Sequence, residues 1–253
     1  MIFLSKNGMD EYVNMFAQGC GVSPTNNKQF DYNSSQDPIV LRGILNGVIP
    51  RCLQDARTFY YIDTGYFGNT RFKIWHRIVK NNLQHKDIVP RPADRFQKFK
   101  KKFRPWSRQG RHIVIAAPDE KPCKFYGINL EQWISDTVTT IKQYTDRPII
   151  VRHRARLRID RVQNDTLESA LTDAFALVTY NSVAATESIF LGIPAFTLAP
   201  SNAADPVACQ DLTKIETPFY PDSDLLHAWA CHLAYGQFHI NELRDGSALQ
   251  YLL

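Results

Sequence analysis

Three short runs carry the residues best suited to chemistry. Asp63 is followed by Thr64, Gly65 and Tyr66, directly after the β-rich run Thr58 to Ile62. Arg152, His153 and Arg154 follow the apolar run Pro148 to Val151. Thr179, Tyr180, Asn181 and Ser182 follow the apolar run that ends at Val178, and Glu187 lies five residues beyond Ser182. A carboxylate, a basic triplet and a polar elbow suit transfer from a nucleotide-activated donor. A leaving diphosphate needs fixed positive charge or N–H donors, and an attacking hydroxyl needs a base. In that scheme Arg152 and Arg154 neutralise the diphosphate, with His153 between them able to hydrogen-bond phosphate whether neutral or charged. Thr179, Asn181 and Ser182 form the elbow that binds it, and Asp63 accepts the proton of the acceptor. His76, in Trp75-His-Arg-Ile-Val-Lys-Asn-Asn82, is a second candidate base. Competing readings stay open: Arg154, Arg156 and Arg158 can alternate along an exposed strand or loop, and Asp63 can be a turn residue before Gly65.

Those runs need elements to position them. Leu177 to Leu198 reads as an apolar strand ending in Thr179, a polar turn, a helix from about Val183 to Leu191, a stop at Gly192 and a second strand from Ile193. A helix N-terminus presents unpaired amides and the positive end of a dipole, so the turn at Asn181 and Ser182 is a candidate phosphate site. Ile2 to Leu4, Ile39 to Leu41, Thr58 to Ile62, His112 to Ala117 and Pro148 to Arg152 read as further strands. Asp10 to Ala17, Leu130 to Tyr144 and Thr166 to Ala174 read as helices, the last with Asn164 and Asp165 as cap candidates. Strands alternating with helices at this spacing predict parallel sheets with right-handed crossovers. The expected class is α/β with two Rossmann-like lobes, residues 1–110 for the acceptor and 111–221 for the donor. The tail at 222–253 is expected to form helices that pack back on the lobes. Ligands of open α/β sheets sit beyond the carboxyl ends of the strands, which is where the three runs fall.

Composition bounds the class. The 253 residues are 44% hydrophobic and 12% aromatic, enough for a substantial core. The longest apolar runs, such as Phe190 to Ala199, are too short to span a bilayer, so no membrane partner and a cytoplasmic location are expected. Cys20, Cys52, Cys123, Cys209 and Cys231 are scattered without a CxxC pair, which predicts reduced thiols. His76, His85 and His153 are each isolated, and Asp222-Ser-Asp224 reads as a helix cap, so no metal is expected in the chemistry and no cofactor beyond the co-substrate.

The net charge of +5 is concentrated between Arg91 and Arg111, which includes Lys98, Lys100, Lys101, Lys102 and Arg104 against the single acid Asp94. Phe96, Phe99, Phe103 and Trp106 recur at spacings of three and four, so a helix would set the aromatics on one face and the cations on the other. Two readings follow: an amphipathic connector packing its aromatics on a core, or an anion-binding or nucleic-acid-binding face.

The Thr179 to Pro194 segment, with Asn181-Ser182 at the elbow, Glu187 five positions before Gly192, and Gly-Ile-Pro194, resembles the donor-nucleotide domain of GT-B glycosyltransferases and the related sugar-nucleotide epimerases. The resemblance implies that Glu187 binds the ribose hydroxyls of a UDP-type sugar donor and that Asn181 and Ser182 bind its diphosphate. The chain also resembles a family of small bacteriophage proteins, through Tyr61-Ile-Asp-Thr-Gly-Tyr-Phe67, Lys80-Asn-Asn-Leu-Gln-His85, Lys124-Phe-Tyr-Gly127, Thr145-Asp-Arg-Pro148 and Asp211-Leu-Thr-Lys-Ile-Glu-Thr-Pro218. That likeness implies hydroxymethylated pyrimidines of phage DNA as acceptor. The basic segment would then follow the phosphates of double-stranded DNA, with Tyr66, Phe67, Trp75 or His76 stacking on a flipped base. The same four residues are more often core or lobe-interface residues on general burial tendencies. A cell-envelope glycan or small acceptor, and a nucleotide-binding protein without catalysis, are the alternatives.

Overall fold

The computed structural model describes residues 1–44, 47–70, 72–153 and 166–252. The chain divides into two compact units. Unit 1 comprises residues 1–85, 91–99 and 231–253, and unit 2 comprises residues 86–90 and 100–230.

Unit 1 is built on β1 (Ile2–Ser5), α1 (Glu11–Gly19), β2 (Thr25–Asn26), β3 (Ile39–Arg42), α2 (Val48–Gln54), β4 (Phe59–Thr64), β5 (Trp75–Lys80) and α3 (Asp94–Gln97). Unit 2 holds β6 (His112–Ala116), α4 (Glu120–Tyr126), α5 (Leu130–Lys142), β7 (Ile149–Arg152), α6 (Leu167–Ala170), β8 (Ala174–Thr179), α7 (Ala184–Phe190) and β9 (Ala195–Thr197). Helix α8 (Ser223–Tyr235) carries the chain from unit 2 back into unit 1, which β10 (Gln237–His239) and α9 (Ile240–Arg244) complete.

Among the described residues the sheet of unit 1 runs β10-β5-β4-β3-β1-β2. Strands β1 to β4 are parallel, and β5 is antiparallel to both β4 and β10. The sheet of unit 2 runs β7-β6-β8-β9 and is parallel throughout. In both units the first strand lies between the second and third in sequence, so the chain winds first one way and then the other. This is the doubly wound Rossmann-like pattern, with its switch point between β1 and β3 in unit 1 and between β6 and β8 in unit 2. The α/β class with parallel sheets in two lobes is the one the sequence predicts.

Burial explains the strand sequences. Residues Ile113, Val114 and Ile115, and Ala174 to Thr179, are almost wholly enclosed, as strands covered on both faces must be. In unit 1, α1 lays Val13, Phe16 and Ala17 against Phe3, Val40, Tyr60, Ile62 and Ile78. Asp10 caps that helix by accepting from Val13 N at 3.1 Å, and Asn129 caps α5 by accepting from Gln132 N at 3.0 Å.

Several elements differ from the sequence reading. The helix expected over Thr166 to Ala174 is confined to Leu167–Ala170, capped by Thr166 through Ser169 N. Asp173 then takes a positive φ of 57° and turns the chain into β8. Asn164 and Asp165, the expected caps, lie outside the described residues. The terminal segment contains β10, whose Phe238 pairs with His76 of β5, so it extends a sheet as well as forming helices. The basic segment is helical only at Asp94–Gln97, and residues 101–111 are without regular structure.

Candidate functional site

In unit 2 the carboxyl end of β6 sets the geometry. Ala116 is the register partner of Arg152 on one side and of Thr179 on the other, so the basic run and the polar elbow flank the switch point at one level. Thr179 is fully buried, with its hydroxyl donating to Ala116 O at 2.8 Å and accepting from Ser182 N at 3.4 Å. It shapes the elbow from beneath and has no surface to offer a ligand, which corrects its reading as a direct contact. Asn181 and Ser182 are half-buried, with Ser182 Oγ accepting from Ala184 N at 3.2 Å and Ser182 O from Ala185 N at 3.3 Å. Those two amides of α7 are therefore already used, and the elbow presents side chains more than free N–H groups. Arg152 is half-buried and His153 exposed; Arg154 lies outside the described residues. Glu187 is exposed on α7, close enough to Lys101 for their charges to interact.

Two residues missed by the sequence reading complete this edge. Asn202, fully buried, donates from Nδ2 to Ser182 O at 3.3 Å. Asp205 accepts from Asn202 N at 2.8 Å and from the Thr197 hydroxyl at 2.7 Å, locking the loop after β9 against the elbow. Burial pushes the Asp205 carboxyl upward, against those hydrogen bonds. The available signal was an Asn and an Asp three residues apart just past a strand, a pattern that hydrogen-bonds its own turn.

In unit 1 Asp63 accepts from Thr64 N at 2.7 Å on Oδ1, and from Arg77 Nη2 at 2.8 Å and the Tyr61 hydroxyl at 3.2 Å on Oδ2. Burial alone would raise its carboxyl, but Arg77 and the two hydrogen bonds outweigh that and hold it below the usual carboxylate range. Arg77, 5% exposed, also donates to Thr64 O at 2.5 Å and Leu83 O at 3.3 Å. Asp63 is thus an ionised, clamped carboxylate. His76 is fully enclosed, with Nε2 3.1 Å from Lys73 O, and burial pushes its pKa down to about 4. Asp63 pairs with Arg77 and Thr64 with His76 across β4 and β5. Alternation along a strand therefore sends Asp63 and His76 to opposite faces of the sheet, and they cannot act on one atom together.

Tyr66 is 3% exposed, its hydroxyl 3.0 Å from His85 Nδ1 and accepting from His85 N at 3.0 Å. Enclosed in this way, its ring offers no face to a flipped base, and the same holds for Phe67, Trp75 being half-buried. Burial pushes the Tyr66 hydroxyl up to about 12, so it stays protonated.

The basic segment uses its aromatics and one buried arginine to hold the chain, while most of its cations stay exposed. In unit 1 Arg95 is 7% exposed and pairs with Glu242 at 2.6 Å. In unit 2 Phe103 stacks on Phe190 at 4.5 Å, Arg104 pairs with Glu168 at 2.5 Å, and Arg108 lies over the Tyr220 ring at 4.2 Å. Lys101 sits 4.6 Å from the centre of the Phe190 ring, half-buried. Lys98, Lys100 and Lys102 are exposed, and so is Arg104 despite its partner. Among the described residues no group of three or more His, Cys, Asp or Glu side chains is placed to hold a metal ion, and no helix is long and apolar enough to cross a membrane.

No family model matches the chain. No curated protein matches it either. Among solved structures, the beta Kdo 2,4 transferase of Thermosulfurimonas dismutans KpsC is 9% identical, with 91% of this chain and 93% of that one covered and a TM-score of 0.47. The beta Kdo 2,7 transferase of the same protein is 8% identical, with 99% of each chain covered and a TM-score of 0.46. At these values neither likeness assigns an activity or a substrate.

Proposed function

We propose that the chain is a glycosyltransferase that takes a nucleotide-diphosphate sugar, of UDP type, at the carboxyl edge of the unit 2 sheet. The observation that supports this is the register of Ala116, which sets Arg152 and the Thr179-supported elbow on either side of one switch point. Arg152 and His153 face the negative charge of the diphosphate, the Asn181 and Ser182 side chains hydrogen-bond it, and Glu187 takes the ribose hydroxyls. Arg154 belongs to the same basic run. In the reaction the bond from the anomeric carbon to the diphosphate breaks, the acceptor oxygen bonds to that carbon, and its proton passes to a base. Unit 1 holds the acceptor.

The acceptor favoured is a saccharide of the cell-envelope type or another small hydroxyl compound. Arg95 is buried against Glu242 and Tyr66 is enclosed, so neither the one buried cation of the basic segment nor the Tyr66 ring is offered to DNA. A DNA acceptor is the second reading and rests on the exposed Lys98, Lys100, Lys102 and Arg104. Calorimetric titration of the whole protein with UDP tests the donor half. Arg152→Gln is expected to weaken binding about tenfold or more, since a charge-assisted hydrogen bond is worth about 1.5–3 kcal/mol. Glu187→Ala is expected to weaken UDP but not inorganic pyrophosphate. Unchanged UDP affinity in both variants overturns the assignment. A gel shift with duplex DNA through a salt series decides the second reading, which fails if nothing binds at low salt.

A further inference from the structure

Among the lysines of the basic segment, Lys101 stands apart. Lys98, Lys100 and Lys102 are exposed, whereas Lys101 is half-buried with its Nζ 4.6 Å from the centre of the Phe190 ring. The chain around it is fastened to α7. Arg104 N donates to Phe190 O at 3.0 Å, Ser107 N donates to Gly192 O at 2.7 Å, and Phe103 stacks on Phe190 with the ring planes 14° apart. An ammonium over an aromatic face is attracted by the ring while its stem covers apolar surface, so Lys101 is a fixed charge where its neighbours are solvated ones.

That charge is set beside Glu187. Glu187 and Phe190 are three residues apart on α7, a spacing that puts side chains on one helix face with Cβ atoms about 5–6 Å apart. Burial pulls the Lys101 pKa down, and the charges of Glu187 and then Glu168 oppose it. Glu168 already has a cation of its own, Arg104 Nη2 at 2.5 Å, so Lys101 acts chiefly on Glu187. A glutamate exposed as Glu187 is loses rotational freedom when it grips a ligand, and its charge repels a diphosphate bound nearby. A fixed ammonium beside it offsets both: it confines the carboxylate and cancels its charge. A carboxylate has about four lone-pair sites, so pairing with Lys101 leaves acceptors for a ligand hydroxyl, and a vicinal hydroxyl can in turn accept from the ammonium.

We propose that Lys101 is a positioning residue of the donor site, which holds the Glu187 carboxylate for the ribose diol of the nucleotide and so selects a ribonucleotide over its deoxy counterpart. This rests on the donor reading given above and adds to it a lysine that the sequence groups with the cations of an anion-binding or nucleic-acid-binding face. Lys101 works through Glu187 and lends nothing to the diphosphate directly.

The test is calorimetric titration of the whole protein with UDP, dUDP and inorganic pyrophosphate. The unaltered chain is expected to bind UDP about tenfold more tightly than dUDP, the value of one charge-assisted hydrogen bond. Lys101→Met keeps a stem over Phe190 and removes the charge; it is expected to weaken UDP about fivefold, bring the UDP to dUDP ratio close to one, and change pyrophosphate by less than about twofold. Lys101→Arg is expected to restore the ratio. In a Glu187→Ala chain, Lys101→Met is expected to cost UDP nothing further, as for two groups acting as a unit. The positioning role fails if Lys101→Met leaves UDP and the ratio unchanged, if UDP and pyrophosphate weaken equally, or if the loss persists in full without Glu187. Absence of UDP binding by the unaltered chain overturns the donor reading and the positioning role together, whereas UDP binding that is weakened by Arg152→Gln but insensitive to Lys101→Met overturns the positioning role alone. Urea unfolding checks that each variant is folded, and Lys101→Gln takes the place of Lys101→Met if that chain is not.

Discussion

Replacing Asp63 by Asn keeps the size of the side chain and removes its charge, leaving the Arg77 guanidinium, 6% exposed, without a counter-ion. Breaking a fully buried ion pair in this way costs about 3–5 kcal/mol. Asp63 itself is 37% exposed, so water shares in solvating the remaining cation and the expected loss falls to about 2 kcal/mol. Urea unfolding at pH 7 measures it, with an unchanged slope showing that the unfolded state is the same. Arg77→Met gives the other edge of a double-mutant cycle, and the double variant is expected to lose less than the two singles together. The pH dependence follows from the sign of the shift. The Asp63 carboxyl is held below its ordinary value in the folded chain, so its stabilisation is complete above the unfolded value of about 3.9 and is lost as pH falls through the folded one. The gap between wild type and Asp63→Asn should stay constant from about pH 8 to pH 5 and close only below about pH 4. A loss under about 0.5 kcal/mol at pH 7, or a gap that closes near neutrality, would refute the clamped-carboxylate account.

His76 takes up its proton at lower pH than an exposed histidine does. Its pKa falls to about 4 by burial, so the neutral ring's stabilisation is complete above about 6.5 and is lost as pH drops toward 4. His76→Gln should remove about 2–3 kcal/mol of the acid destabilisation between pH 7 and pH 4.5, read from urea midpoints at the two pH values. Gly192→Ala should destabilise unit 2 by more than about 3 kcal/mol, because a Cβ there would stand 2.2 Å from Pro105 O at a φ of +75°. Gly127→Ala, at φ +66° with nothing within 4 Å, is the control and should cost about 1 kcal/mol in the same unfolding assay. Arg104→Ala breaks a pair whose partners are 60% and 61% exposed and should change stability by less than about 0.5 kcal/mol, checked by thermal unfolding at low and high salt.

What the sequence made legible is what local chemistry controls. The buried parallel strands announce themselves as short apolar runs, and α5 begins where Asn129 can cap it and ends within two residues of the expected place. The elbow after β8 was visible because an apolar strand gives way abruptly to Thr179, Tyr180, Asn181 and Ser182. What stayed hidden depends on partners far along the chain. Gln237–His239 is a strand because β5 offers it an edge, and in isolation its three residues read as part of a helical tail. The basic segment shows helical spacing of its aromatics, yet Phe103 leaves that pattern to stack on Phe190 and Pro105 ends any helix there. Its main-chain bonds go to α7 and Gly192 instead, from Arg104 N to Phe190 O at 3.0 Å and from Ser107 N to Gly192 O at 2.7 Å.

The same distinction bears on the choice of base. Asp63 reads from sequence as the base and His76 as the second candidate. Sheet register separates them. Asp63 faces Arg77 and Tyr61, where both of its oxygens are engaged and its proton affinity is lowered. His76 faces Tyr12 and the side of Arg42, where Nδ1 is bare, uncharged at neutral pH and without a partner. Burial separates them further, because the Asp63 side chain is 37% exposed whereas His76 is fully enclosed. The single residue of offset between Thr64 and Asp63 in their pairing with β5 decides which face of the sheet each of the two side chains takes.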